Sequence, residues 1–164
     1  FLAGHGPLVP ASCGCWSVCC FPEGHMSIKH TILYADDDFA DFDVLRAAFE
    51  QVRPDIQLIH ATDGWAALYY LQTLKLTSLY PGLIVLDLNM EGIGGKETVS
   101  ILKSNHKYRG IPVVLFTGSK AVADRDFCLG HGLQLVQKPA TFDDLKETAH
   151  MLATFCDLKV IAGW

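Results

Sequence analysis

Acidic, hydroxyl and ammonium side chains stand just past the ends of separate apolar runs, and together they could carry out phosphoryl transfer. Asp36-Asp37-Asp38 follows the run 31–35, Asp87 follows 83–86, Thr117 follows 113–116 and Lys138 follows 133–137. Carboxylates crowded at one rim raise one another's pKa and resist burial, and a divalent cation removes that penalty. Carboxylate and carbonyl oxygens are hard ligands that suit Mg2+, or Mn2+ in its place, better than zinc. A metal-bound, partly buried Asp is a fair nucleophile toward phosphorus and would give an aspartyl phosphate. A metal and an ammonium then clamp the equatorial oxygens of the transferring group. Lys138 can supply the ammonium and Thr117 a hydroxyl hydrogen bond. Gly118, lacking a Cβ, lets backbone N–H groups approach.

Each of these residues also has a plainer reading. An Asp at a strand end is more often a turn or cap residue, and Asp38 reads equally well as the N-cap of the helix behind it. Thr before Gly is an ordinary turn, and Lys-Pro is common on surfaces. Coincidence favours the chemical reading, because the groups follow the first, third, fourth and fifth apolar runs in order.

The elements that must hold them read as alternating strand and helix. The apolar runs are short and rich in aliphatic or β-branched residues, as buried parallel strands are. Strands are expected at 31–35, 56–61, 83–87, 111–116 and 133–137. A helix at 39–52 carries Phe42, Leu45, Ala48, Phe49 and Val52 at helical spacing, and Pro54 blocks its continuation. Asp63 is the expected N-cap of a second helix bearing Ala67, Leu68, Leu71 and Leu74. A third helix, holding Val99, Ile101 and Leu102, follows a glycine-rich loop at 90–95. A fourth spans about 121–129 and is stopped by Gly130 and Gly132. Thr141 caps a fifth, with Leu145, Ala149, Leu152 and Phe155 on its buried side. Such alternation with short loops means an α/β domain whose parallel sheet is covered by helices on both faces. Ligands of such sheets sit beyond the carboxyl ends of the strands, where the polar residues fall.

The 164 residues suit one domain, half of them apolar and 19% charged. A net charge of −5 argues against nucleic acid as a direct partner. No apolar run approaches the roughly 18 residues of a membrane span. Cys128 and Cys156 stand alone as expected buried small hydrophobes. The cysteines are not spread through the chain as a disulfide framework would be, which points to a reduced, cytoplasmic protein.

Residues 1–26 differ in kind. They contain no Lys or Arg and a single acid, Glu23, with Pro7, Pro10, Pro22 and the clustered Cys13, Cys15, Cys19 and Cys20. Neither helical nor strand periodicity is present, and the basic start of a secretory signal is missing. Gly24-His25-Met26 has the look of a cloning scar ahead of a natural start at Met26. The division expected is a non-native leader at 1–26 and a domain at 27–164. A thiolate metal site is the alternative, although the paired C-x-x-C spacing of structural zinc is lacking. A native partner-binding leader is the third reading.

The body resembles the receiver domain of two-component response regulators, the chemotaxis-regulator-like fold, over about residues 28–157. The stretches that carry the likeness are Ile32-Leu33-Tyr34-Ala35-Asp36-Asp37-Asp38, Ile84-Val85-Leu86-Asp87-Leu88-Asn89-Met90, 111–119 and Gln137-Lys138-Pro139. The resemblance implies a doubly wound (βα)5 flavodoxin-like three-layer sandwich with strand order 2-1-3-4-5. It implies Asp87 as phosphoacceptor, with Mg2+ held by Asp36, Asp37, Asp87 and the main-chain carbonyl of Asn89. Thr117 and Lys138 would bind the phosphoryl group, and the Lys138–Pro139 bond would be cis. Asn89 and Ser119 would tune the lifetime of the phosphoryl group. The implied partners are a histidine kinase or histidine phosphotransfer protein and a downstream protein target met through helix four, strand five and helix five. Leu135 replaces the family's frequent aromatic switch residue, Glu91 a frequent Pro, and His131-Gly132 a common Gly-Ala. These departures touch the readout more than the chemistry.

The expected function is therefore a phosphorylation-controlled switch. It would catalyse only its own phosphorylation and dephosphorylation, stand alone without an output domain, and bind neither nucleic acid nor membrane. The apolar stretch 158–164 raises homodimerisation as a further expectation. The alternative is a haloacid-dehalogenase-type phosphohydrolase with Asp36 as nucleophile and Asp38 two residues on, although Ala40 breaks that pattern. A flavodoxin-like cofactor binder is disfavoured because the first strand leads into acids that repel an anionic cofactor.

Overall fold

The computed structural model describes residues 30–74 and 80–162, with side chains to residue 157. The expected leader at 1–26, its clustered cysteines and the side chains of 158–164 lie outside the described residues, as do the readings placed on them. The elements alternate as β1 (His30–Ala35), α1 (Phe39–Val52), β2 (Ile56–Ala61), α2 (Gly64–Thr73), β3 (Leu83–Leu86) and α3 (Gly95–Ser104). There follow β4 (Val113–Thr117), α4 (Val122–His131), β5 (Gln134–Gln137) and α5 (Phe142–Ala162). The five strands form one parallel sheet in the order β2-β1-β3-β4-β5.

Side chains of successive strand residues alternate between faces, and the two cores follow that alternation. Ile32, Tyr34, Leu83, Val85, Val114 and Phe116 meet α1 and α5 on one face. Leu33, Ala35, Ile84, Leu86, Val113 and Leu115 meet α2, α3 and α4 on the other. β3 is therefore apolar at every position, and β1 is so from Ile32 to Ala35, since both faces are covered there.

The caps match residues singled out in the sequence. Asp38 accepts the Ala40 N–H at 2.8 Å, Asp63 accepts that of Ala66 at 2.7 Å, and Thr141 Oγ1 accepts that of Asp144 at 3.2 Å. α4 continues through Gly130, and Gly132 alone ends it, in the left-handed conformation at φ 62°. α5 extends to Ala162, so most of the expected tail is helix. No proline interrupts it, and the next glycine is Gly163. Cys128 and Cys156 are buried free thiols.

α1 and α5 are also tied by charge. The Arg53 guanidinium pairs with Asp55 at 2.8 Å and with Asp157 at 3.0 Å. Its planar fork holds both carboxylates at once.

The sheet's order reverses at β1 and β3, where one connection leads outward to β2 and the other away toward β4. Ligand sites of open α/β sheets form at such a reversal. Gly95 opens α3 against the end of β3, and a Cβ there would lie 2.3 Å from the Asp87 carbonyl oxygen. That contact is with backbone, so it cannot be relieved by a side-chain rotation. Gly95→Ala is expected to destabilise the protein by about 1–3 kcal/mol in urea unfolding, and to shift the loop that carries Asp87.

Candidate functional site

Ladder bonds carry the chain directly into the polar rim. The Asp36 N–H donates to Ala61 O at 3.0 Å, Asp87 N–H to Ala35 O at 2.9 Å, and Lys138 N–H to Thr117 O at 2.9 Å. Each polar residue is thus fixed by the last rung of its strand. Asp36, Asp87 and Thr117 are buried, while Asp37 is exposed.

The Lys138 ammonium sits among carboxylates. Its Nζ lies 2.7 Å from Asp36 Oδ2, 2.7 Å from Asp41 Oδ2 and 3.4 Å from Asp87 Oδ1. Burial works against that ammonium, but the bonds to Asp36 and Asp41 and the nearby Asp87 outweigh it and raise its pKa. The lysine therefore stays charged at neutral pH. It does so from a trans bond: among the described residues no peptide bond is cis, Lys138–Pro139 included. The cis bond implied by the resemblance is corrected: Lys138 reaches the rim from a trans backbone.

Asp36 is saturated. Its Oδ2 accepts from the buried Tyr34 hydroxyl as well as from Lys138, and its Oδ1 accepts the Asp38 N–H at 3.0 Å. Burial first, and then the Asp36 carboxylate, push the Tyr34 hydroxyl's pKa up, so it remains a neutral donor. The Asp36 carbonyl oxygen is met by His60 Nε2 at 2.9 Å.

Asp87 is freer. Its Oδ2 accepts the Asn89 N–H at 2.8 Å, and its Oδ1 has only the longer contact with Lys138. Burial raises its pKa, partly offset by Lys138 and the Asn89 N–H. Asp37 Oδ2 accepts the Glu91 N–H at 3.2 Å, which ties the acidic turn to the loop after β3. The Thr117 hydroxyl oxygen accepts the Ser119 N–H at 3.1 Å, and a hydroxyl that accepts can donate as well. The Ser119 hydroxyl donates to Asp124 at 2.8 Å, and Asp124 pairs with Lys96 at 2.8 Å.

The structure thus brings Asp36, Asp87 and Lys138 into contact, with Thr117 bonded through its carbonyl to the lysine's amide. Asp37 and the Asn89 carbonyl belong to the two turns that flank Asp87. Among the described residues, no three His, Cys, Asp or Glu side chains converge as a preformed metal cage. Lys138 supplies the positive charge instead. The donor set nevertheless fits a hard cation: Asp37 and Asp87 offer carboxylates, and the exposed Asn89 a turn carbonyl.

Three participants were not singled out in the sequence. Asp41 carried a signal, since it lies one helical turn beyond Asp38. Tyr34 carried a weaker one: it shares a strand face with Asp36, and a buried tyrosine hydroxyl normally finds a partner. His60 lies on the neighbouring strand, with no local pattern to mark it.

With this geometry established, comparison with known proteins places the chain. The response regulator receiver domain matches residues 32–150. The chain belongs to that family. A protein named "Probable methanogenesis regulatory protein FilR2", from Methanothrix harundinacea, is 31% identical over 126 residues, covering 76% of this chain and 81% of its own. Response regulator Rcp1 of Synechocystis is 36% identical over 90 residues, covering 54% of this chain and 61% of its own. The solved Mn(2+)-bound form of response regulator Rcp1 is similar with a TM-score of 0.67 and 29% identity, covering 77% of this chain and 93% of that one. The phosphorylated cyanobacterial phytochrome response regulator RcpA, at 24% identity and a TM-score of 0.68 over 77% of this chain and 92% of its own, shares the fold.

Receiver domains are phosphoacceptor signalling modules rather than general enzymes, and histidine kinases phosphorylate them. Their family binds divalent metal. The phosphohydrolase alternative gains nothing: the Asp36 that it needs as nucleophile has both oxygens engaged. Among the described residues, no helix is long and apolar enough to cross a membrane.

The raised pKa of Asp87 fixes a sign. A carboxyl with a higher pKa folded than unfolded binds more protons folded between the two values, so stability falls as pH rises through that interval. At neutral pH the ionised Asp87 therefore costs stability. Asp87→Asn should be more stable than wild type in urea unfolding at neutral pH, and the gap should close as pH falls through the carboxylate range.

Proposed function

We propose that Asp87 receives a phosphoryl group from a phosphohistidine and that the modified domain changes its protein contacts. The observation that carries this reading is the unequal engagement of the two buried acids. Asp36 is held by Tyr34, Lys138 and the Asp38 N–H, whereas Asp87 Oδ1 meets only Lys138, at 3.4 Å. Asp87 is thus the buried carboxylate with an oxygen to spare for attack.

In the step itself, that oxygen forms the new bond to phosphorus as the phosphorus–nitrogen bond to the donor imidazole breaks. The bonding pair returns to the imidazole, and an acyl phosphate remains on Asp87. Lys138 and the Thr117 hydroxyl stabilise the charge on the phosphoryl oxygens. Asp37, Asp87 and the Asn89 carbonyl would hold Mg2+, or Mn2+, with Asp36 adding charge beside them. When bound, the metal would neutralise charge on the transferring group. Asn89 and Ser119, each two residues past a site residue, would influence the water that removes the phosphoryl group.

The donor is a histidine kinase or a histidine phosphotransfer protein. The output would be a protein target in the cytoplasm, reached through α4, β5 and α5. Leu135, half-buried beside Leu115, stands where an aromatic switch is frequent, so the response would not use an aromatic ring at that position. Homodimerisation remains a proposal, tested by whether the light-scattering mass rises with concentration.

The direct test is intact mass after incubation with a small phosphodonor and Mg2+. Wild type should gain one phosphoryl group, lose that gain when a chelator is present, and show none as Asp87→Asn. An adduct that survives in Asp87→Asn would move the nucleophile to the acids after β1 and overturn the assignment.

A further inference from the structure

The Lys138 ammonium has two claimants at close range, and only one belongs to the set implied by the family likeness. Asp41 Oδ2 holds it at 2.7 Å, as closely as Asp36 does, while Asp87 stands back at 3.4 Å. Asp41 sits in the first turn of α1, and its side chain is 45% exposed against 20% for Lys138. It therefore draws the ammonium toward the solvent side of the rim, away from the acceptor.

We propose that Asp41 is a positioning residue that competes with an oxyanion on Asp87 for the Lys138 ammonium, and so sets how readily the acceptor is occupied. This inference rests on the acceptor reading of Asp87. Two effects of Asp41 carry the same sign. As a hydrogen-bond acceptor it occupies one of the three N–H donors of the ammonium. As a charge it opposes the roughly two negative charges that a phosphoryl group brings. Asp36 cannot act alike, because its carboxylate is buried and fixed by Tyr34 and the Asp38 amide. Among the described residues Asp41 makes no side-chain hydrogen bond or ion pair besides that with Lys138, and its half-exposed position lets water replace the lysine. The residue thus lowers the affinity of the site for an anion without taking part in the chemistry.

The test uses fluoroberyllate with Mg2+ as the anionic probe, titrated calorimetrically into the full chain as wild type, Asp41→Asn and Asp41→Glu. Asp41→Asn should bind about two- to fivefold more tightly, the range of a partly exposed ion pair. Asp41→Glu, which keeps the charge, should stay near wild type. The gain should shrink at high salt, as screening weakens the partly exposed carboxylate. A merely structural role would lower the thermal midpoint of Asp41→Asn and leave its affinity unchanged. Unchanged or weaker binding by Asp41→Asn, with wild type binding normally, overturns the inference alone. Absence of binding in wild type and both variants would instead remove the acceptor reading and the inference with it.

Discussion

Three carboxylates and one ammonium share the rim at the carboxyl ends of β1, β3 and β5, and the arrangement of the site follows from how that charge is divided. Buried acids at this spacing repel one another, and the fold can hold them only with compensation. Lys138 supplies part of it at 2.7 Å from Asp36 and from Asp41. The Tyr34 hydroxyl and the backbone amides of Asp38 and Asn89 supply the rest. Removing Lys138 would leave the buried Asp36 carboxylate without its counter-charge, and breaking a buried pair in that way typically costs about 3–5 kcal/mol. What is left over is a single buried acid, Asp87, whose pKa is raised by its burial and whose Oδ1 is only loosely met. On the proposed reading, that residue is free for chemistry because the others have been satisfied.

Backbone geometry makes the division possible. The rungs from Asp36 to Ala61, from Asp87 to Ala35 and from Lys138 to Thr117 extend the ladders past the last strand residues. The side chains are therefore positioned by the sheet, not by mobile loops. The close seat of Gly95 against the Asp87 carbonyl presses α3 onto the same point. On the far side, the Lys96–Asp124–Ser119 chain ties the start of α3 to the turn after Thr117 and to α4. Hydrogen bonds from Lys96, and then from Ser119, lower the pKa of Asp124 and keep that link charged. A change at Thr117 thus has a short polar route to α4.

Much of this was legible in the residues. Apolar runs with polar ends located the strands and the rim together, because central parallel strands must be apolar on both faces while their ends meet solvent. Asp38, Asp63 and Thr141 announced three helix starts by the chemistry of their side chains. The limits of α4 and α5 were less clear. Gly130 reads as a stop yet is carried by the helix, and nothing before Gly163 breaks α5. The lysine's trans bond could not be read locally, since both isomers of a Lys-Pro bond are written with the same letters. Asp41 and His60 escaped because their roles depend on a residue about a hundred positions away and on a neighbouring strand. Long-range partners of that sort emerge only when the sheet order is known.

The proposal that Asp87 is the acceptor, with Lys138 meeting its phosphoryl oxygens, can be tested structurally. The most direct measurement is a crystal structure of the full chain with fluoroberyllate and Mg2+. Beryllium should be bonded to an Asp87 carboxylate oxygen, with a fluoride within hydrogen-bond distance of Lys138 Nζ and the metal beside Asp37 and the Asn89 carbonyl. Beryllium on Asp36, or on Asp87 with Lys138 still turned to Asp36 and Asp41 and no fluoride in reach, would contradict it.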